Sequence, residues 1–493
     1  MNSTQRSRRR LIQSLGMGAG LAAIAPIMAA CGQSSTPSAP AASSNPTVAP
    51  KPADAKPAES KPAEAAKPAD AKPAQSATAA IPVITAGSGK EVVVWSGQIT
   101  FNDMNTSNGR WATWIRETFV QKNTGFGLKV EDHGWDQALR TALLTSIAGN
   151  TVPDVTTGEA FINEFAALGA LAPVDGMTAK DFAHGPIAGA TYKEKIYGVP
   201  IYTSAFALET NVRVAQKAGI DPNTPPKTWD ELLANAEKAH AAGNGAYVGY
   251  NLYGPAPNRV YGTVLRSMPW IIQSGKPLAG DDGSNPSFND PAQVAAYEFS
   301  RKLFKVADQG NSFSGDEAKL YSFLWDDKAL YQITHMSLIL NARDAKAETV
   351  YHPIPRRDPN VSGNVVLGNI TFSPLAKAKN PEGAQAFVKF MGESDTQKQL
   401  GELNGVRLPT IMSLLQDPQL EQATRYKETG SSIVRTYADI LLKEDVHPVP
   451  PFTKNADKIW IAWGDMFSKV LQSSEPVQPM MDELQTSVER LLR

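Results

Sequence analysis

Flat aromatic rings beside amides and carboxylates are the residue types that capture a small polyhydroxylated molecule, since rings cover apolar faces and polar groups bond the hydroxyl rim. Trp95 ends a β-branched run and Gln98 follows it in a loop, where an open parallel sheet presents ligand contacts. Packing of Trp95 beneath its own sheet is the alternative reading. Gly368 and Asn369 are read at a strand end in Leu367-Gly-Asn-Ile370, where a backbone can approach a ligand and an amide can bond hydroxyls. Glu159 is read at a helix start, where its charge also suits the helix macrodipole. For hydrolysis by two carboxylates, Glu159 with Asp327 or Asp103 are the candidates, but their spacing selects no pair. The chain has no GxSxG elbow, P-loop or dinucleotide fingerprint, so binding is expected and catalysis is not.

Metal and redox chemistry lack their usual parts. The 6 histidines show no HExxH-type pairing, and Cys31 is the 1 cysteine, which excludes an internal disulfide. Asp281-Asp282-Gly283 with Asn285 lacks the terminal glutamate of a calcium loop and reads as a polar surface loop. No metal or cofactor is expected. A net charge of -1 with both signs interspersed leaves no nucleic-acid footprint.

The elements that must position these residues alternate between strand and helix. Glu91–Trp95 and Leu128–Glu131 read as strands, Trp111–Gln121 and Trp135–Ile147 as the helices after them, Val152–Val155 as a third strand and Glu159–Leu168 as its helix. This order predicts an α/β fold with a mostly parallel sheet. Thr228-Trp-Asp-Glu231 is a capping box opening a helix, Asn289-Asp-Pro-Ala292 and Asn380-Pro-Glu-Gly383 open two more, and Ala456–Leu471 and Val477–Leu492 close the chain as helices. Trp111, Trp114 and Phe119 at helical spacing are assigned to the core.

Ahead of this lies an address and a spacer. The basic stretch Arg6 to Arg10, followed by a weakly apolar run to Ala30 broken by Gly16, Gly18 and Gly20, reads as an export signal over residues 1–30. Ser7-Arg8-Arg9-Arg10-Leu11-Ile12 resembles a twin-arginine signal, and Met28-Ala29-Ala30-Cys31-Gly32 resembles a lipobox whose Cys31 takes the lipid, with Met28 standing where leucine is usual. Residues 31–88, rich in Pro, Ala, Ser and Lys with a repeated Lys-Pro-Ala phrase, cannot bury a core and read as a flexible tether. At about 3 Å per residue such a tether reaches up to about 150 Å.

From Glu91 onward the chain resembles the extracellular solute-binding proteins of family 1, which serve carbohydrate ABC importers. The residues that carry the resemblance are Val92-Val-Val-Trp95, Leu144-Thr-Ser-Ile-Ala-Gly149 with Pro153-Asp-Val155, and Phe165-Ala-Ala-Leu-Gly-Ala-Leu-Ala-Pro173. They continue through Tyr197-Gly-Val-Pro200, Pro225-Pro-Lys-Thr-Trp-Asp-Glu231, Trp270-Ile-Ile-Gln-Ser-Gly275, Phe288-Asn-Asp-Pro291, Asn380-Pro-Glu-Gly383 and Leu408-Pro-Thr410. Two phrases depart from the family: Leu208-Glu-Thr-Asn211, and Asp327-Lys-Ala-Leu-Tyr331 through His335-Met336. The second falls near the expected pocket, where a sugar-stacking ring often sits.

The resemblance implies a two-lobed periplasmic-binding-protein-like (type II) fold. Lobe 1 is expected over residues 89–203 and 361–407 and lobe 2 over 204–360 and 408–493, with hinge crossings near 200–205, 355–365 and 405–410 and the solute held in the cleft. It further implies that Glu159 makes a polar contact, that Tyr202 faces the cleft, that Trp270 is the family's tryptophan before the Gln-Ser-Gly turn and a candidate contact, that Trp460 stands where an aromatic often stacks on sugar, and that Arg407 lies at a crossing. Core packing is the alternative for Trp270 and for one of Trp460 and Trp463, and an interlobe or surface salt bridge is the alternative for Arg407. The function implied is that of a monomeric, lipid-anchored extracytoplasmic protein delivering a carbohydrate to an ABC transporter permease. A polyamine or other organic solute, a secreted hydrolase and a protein that presents its ligand to a signalling receptor remain alternatives.

Overall fold

Pro82 leads into Val83-Ile84-Thr85, whose β-branched residues favour extended chain. In the computed structural model they form strand β1 (Val83–Ala86), antiparallel to β3 (Phe126–Glu131) with Val83 opposite Glu131. The tether read through residue 88 therefore ends earlier, because this segment gains a sheet edge to pair with. The structure describes residues 81–493 except 136, 159–160, 256–259, 281–282, 359–363, 445 and 451. The export signal, Cys31, the tether up to residue 80, Glu159 and the loop at Asp281-Asp282 lie outside the described residues.

The remaining strands are β2 (Lys90–Trp95), β4 (Val155–Gly158), β5 (Thr191–Tyr192), β6 (Lys195–Ile196), β7 (Val199–Asn211), β8 (Val248–Tyr250), β9 (Ala329–His335), β10 (Thr349–His352), β11 (Asn364–Pro374) and β12 (Val446–His447). β3, β2 and β4 form the expected parallel triad. The strands that join the two halves are antiparallel, β4 to β11, β11 to β7 and β7 to β9, so the sheet is mixed and runs in the order β1-β3-β2-β4-β11-β7-β9-β8. The third strand starts at Val155 and not at Val152. Pro153 has no N–H to donate, and the Asp154 carboxylate turns aside to accept from the backbone N–H groups of Val93 (2.8 Å) and Asn380 (2.7 Å).

Two principal cores lie on this frame. One gathers Val92, Val94, Trp111, Phe119, Tyr202, Phe372 and Phe387, and the other Phe206, Leu208, Trp229, Trp270, Phe288, Trp463 and Phe467. β7 belongs to both. Residues 199–205 pair with β11, and from Phe206 onward β7 pairs with β9, starting at Phe206 opposite His335. The result is a two-lobed α/β fold in which one strand passes from lobe to lobe. The segment before Thr410 joins it there: Thr203 and Leu408 exchange N–H···O bonds of 3.0 and 3.2 Å.

Gly368 and Asn369 do not end a strand. They lie within β11, where the register with β7 slips between Leu367 opposite Ser204 and Ile370 opposite Tyr202. β11 thus carries one extra residue at this point, a bulge of the kind that bends a strand and re-aims its neighbours.

Candidate functional site

Successive side chains of a strand point to opposite faces, and β7 uses both. Ala205 and Ala207 face a third cluster, where Leu408, Tyr426, Val434 and Tyr437 cover the back of the crossing. Tyr202 and Phe206 take the other face, one in each lobe's core.

On the side of the first lobe, Ser96 caps the short turn Gly97–Ile99, its Oγ accepting from Gln98 N at 3.2 Å, which lifts Gln98 off the end of β2. Gln98 Oε1 accepts from Tyr202 Oη at 2.5 Å and from Arg407 Nη2 at 3.1 Å. The Arg407 guanidinium carbon lies 4.2 Å from the Tyr202 ring centroid, a cation–π stack, and Trp111 meets the same ring edge-on at 5.8 Å. Arg407 Nη1 is buried with no hydrogen-bond partner, and Arg407 makes no ion pair among the described residues. Three of the expected residues, Gln98, Tyr202 and Arg407, thus form one unit.

On the side of the second lobe, Arg266 projects from the helix Val260–Ile272 and is only 5% exposed. Its guanidinium lies 4.6 Å from the Tyr253 ring, 4.8 Å from Tyr321 and 6.0 Å from Phe206. It donates to Tyr321 Oη and pairs with Glu317 at 3.6 Å. His335, opposite Phe206, has its ring edge-on to Phe206 and Tyr321 and shares a hydrogen bond of 2.5 Å with Ser337 Oγ. Burial holds the His335 imidazole well below its ordinary pKa, and the charges of Arg266 and Arg407 push the same way. Charge from both sides of the crossing therefore converges on this histidine.

A buried network fixes the floor of the second lobe. Glu209, from the unusual phrase Leu208-Glu-Thr-Asn211, accepts from Trp325 Nε1 (3.0 Å), Tyr351 Oη (3.1 Å) and Gln332 Nε2 (2.6 Å). Burial pushes its carboxyl up despite these donors. Gln332 Oε1 in turn accepts from Tyr253 Oη at 3.2 Å and Asn251 Nδ2 at 2.8 Å, which holds Tyr253 against Arg266.

The other expected residues are placed as follows. Trp95 packs in a lobe-1 cluster with Leu139, Leu143, Phe161 and Phe165, stacks on His133 at 3.7 Å and donates from Nε1 to Glu131 at 2.8 Å. This matches the packing alternative for Trp95, because the strand alternation that buries Val92 and Val94 on one face sends Trp95 to the other. Trp270 is 2% exposed and edge-on to Trp229 (5.9 Å) and Phe299 (5.2 Å), in the interior of the second core. An apolar helix with so few polar positions buries its largest ring, and Arg266 on that helix reaches the site instead. Trp460 stacks on the fully buried Trp463 at 5.2 Å, at the margin of the second core. One turn earlier, Asp457 pairs at 3.3 Å with Arg140, which is itself held by Glu164 at 2.7 and 2.6 Å. The Asn369 side chain lies outside the described residues.

Of the hydrolase candidates, Glu159 lies outside the described residues. Asp327 is ion-paired with Arg213 at 2.8 Å, and Asp103 accepts from Asn105 N in an exposed turn. Among the described residues no cluster of potential metal ligands occurs and no helix is long and apolar enough to cross a membrane.

Arg266, Tyr253, Tyr321 and His335 escaped the reading of the sequence. Two of them left a trace, Arg266 as a lone arginine in an apolar helix and His335 at the end of a departure from the family phrase, and Tyr253 and Tyr321 left none.

The family described as bacterial extracellular solute-binding protein matches residues 105–398. A binding protein of Brucella abortus is 32% identical over 162 residues, covering 32% of this chain and 38% of that protein. A Sinorhizobium fredii protein described as an amino-acid ABC transporter periplasmic-binding protein is 24% identical over 302 residues, covering 61% of this chain and 65% of its own length. Both matches thus span less than two thirds of the relative. The crystal structure of a cyclic alpha-maltosyl-1,6-maltose binding protein from Arthrobacter globiformis shares the fold with a TM-score of 0.69 at 20% identity, over 82% of this chain and 99% of that one.

Proposed function

Because the chain belongs to the bacterial extracellular solute-binding protein family, we propose that it captures a carbohydrate between its two lobes and delivers it to the permease of an ABC importer. The observation that carries this reading is the face of β7, where Tyr202 and Phe206 bring contacts of two separate cores onto one strand. Tyr202 is backed by Gln98 and Arg407, and Phe206 by His335 and Arg266. A solute touching both sets stabilises the arrangement in which the lobes approach, since a ligand shifts an equilibrium only by its differential affinity. Aromatic faces beside amide and guanidinium donors suit a ring with hydroxyls. The polyamine alternative is weaker, because two guanidinium groups at the site repel a cationic solute.

On the same reading the protein works as a monomer outside the cytoplasm, exported by its leader and held to the membrane by a lipid on Cys31 at the end of a long tether. Glu159 and Asn369 are its further candidate contacts. A thermal-shift screen of the full chain against mono- and oligosaccharides, sugar acids, sugar phosphates, polyols and polyamines tests the capture step. Saturable stabilisation by one carbohydrate class is expected, since a ligand that binds only the folded state raises the melting point. Stabilisation by polyamines alone would sink the carbohydrate reading.

A further inference from the structure

We propose that the carbohydrate captured here is acidic, and that its carboxylate or phosphate is received by the Arg407 guanidinium with Arg266 supplying a second positive charge. The inference rests on the solute-binding reading above and names the class of its ligand.

The geometry of Arg407 comes first. Its face is taken by the Tyr202 ring and its Nη2 by Gln98 Oε1, which leaves Nη1 buried without an acceptor. A buried donor left unmade carries its full desolvation cost, and a charged one carries more. Gln98 is neutral, so it satisfies a hydrogen bond without offsetting the charge. A sugar hydroxyl at Nη1 would do the same. An oxyanion supplies an acceptor and the opposite charge together, and charge-assisted bonds of this type are about twice as strong as neutral ones.

The surroundings point the same way. Arg266 is buried among three rings, whereas its carboxylate partner Glu317 has a side chain 49% exposed, so water screens the anion of that pair more than the cation. His335 stands where the fields of both arginines overlap and is held in its neutral form. Glu209, the carboxylate behind Tyr253, is engaged by three donors inside the lobe and is displaced toward protonation by burial. Arg407 thus has no carboxylate partner among the described residues and Arg266 pairs with a half-exposed one, so a neutral sugar leaves the charge of Arg407 unoffset.

The test is calorimetric titration of the full chain with matched pairs: D-glucose against D-glucuronate, D-galactose against D-galacturonate, D-glucose against glucose 6-phosphate, and glycerol against glycerol 3-phosphate. The acidic member of one sugar pair should bind about 10- to 100-fold more tightly than its neutral partner, and Arg407→Gln should bring that ratio close to one whatever it does to the neutral sugar itself. Arg407→Lys, which keeps the charge and loses the planar fork, should fall between, provided that its melting curve shows a folded protein. The uronate and phosphate arms distinguish the two oxyanions. A neutral sugar binding as tightly as its acidic partner overturns this inference and leaves the carbohydrate reading intact. Glycerol 3-phosphate binding through Arg407 while every sugar fails overturns the carbohydrate reading and leaves only the oxyanion contact of Arg407 standing, and silence from the whole panel overturns both.

Discussion

Asp457 offers the most direct handle on lobe closure, because its pairing with Arg140 links the first turn of the helix Ala456–Gln472, packed in the second core, to a helix of the first lobe. The attraction at 3.3 Å is about 5 kcal/mol at an effective dielectric constant near 20. Glu164 shares the same Arg140 nitrogen at 2.6 Å, so the two carboxylates lie close enough to repel each other by about 3 kcal/mol on the same scale. About 2 kcal/mol remains, and partial exposure of Asp457, whose side chain is 25% accessible, reduces it to about 1 kcal/mol. Asp457→Asn should therefore weaken the closed arrangement about fivefold and raise the apparent Kd by up to the same factor, since affinity scales with the population competent to bind. Solution scattering of the ligand-free protein should show a larger radius of gyration, and titration calorimetry should show the weaker binding. Asp465→Asn, an exposed site on the same helix, is the control. An unchanged Kd with unchanged scattering would refute the assignment of this pair to closure and leave it as a packing contact.

Two further outcomes follow from burial. Trp270→Ala should cost about 3 to 5 kcal/mol of stability in urea unfolding while the folded protein keeps its affinity, since the ring fills the interior beside Trp229 and Phe299; lost affinity at unchanged stability would return Trp270 to the site. His335, faced by Arg266, Arg407, Tyr321, Phe206 and Ser337, has a folded pKa well below its unfolded value of 6.5. Above about pH 6.5 its contribution is fully present, and below that the unfolded chain binds the extra proton and stability falls with pH. His335→Gln should flatten that part of the pH–stability curve, and an unaltered slope would contradict the burial of the imidazole.

The parts legible in the sequence are those fixed by local physics. The phrase Thr228-Trp-Asp-Glu231 caps its helix, Thr228 Oγ accepting from Glu231 N at 3.2 Å, although the Glu231 carboxylate reaches back to Lys227 N at 2.6 Å and not to Thr228. The Asn380 side chain caps the next helix in the same manner, its Oδ1 accepting from Gly383 N at 3.1 Å. Gln98, Tyr202 and Arg407 were legible because each lies beside a strand end or a Pro-marked crossing, where chain direction and chemistry coincide. Trp95 was not, since its face depends on the register of β2 against β3 and β4, which no local pattern states. Arg266, Tyr253 and Tyr321 come from separate stretches of the second lobe, and only packing around Phe206 brings them together.

The same physics explains why the site sits where β7 changes partners. A strand that leaves one lobe's ladder at Ala205 and enters the other at Phe206 sends one face into both cores, through Tyr202 and Phe206, while its back is covered by Leu408, Tyr426 and Tyr437. The Nη1 group of Arg407 is buried without an acceptor, while Gln98 and the Tyr202 ring already engage the rest of that guanidinium. On the proposed reading, a solute that engages both Arg407 and Arg266 couples its own binding to the approach of the two lobes.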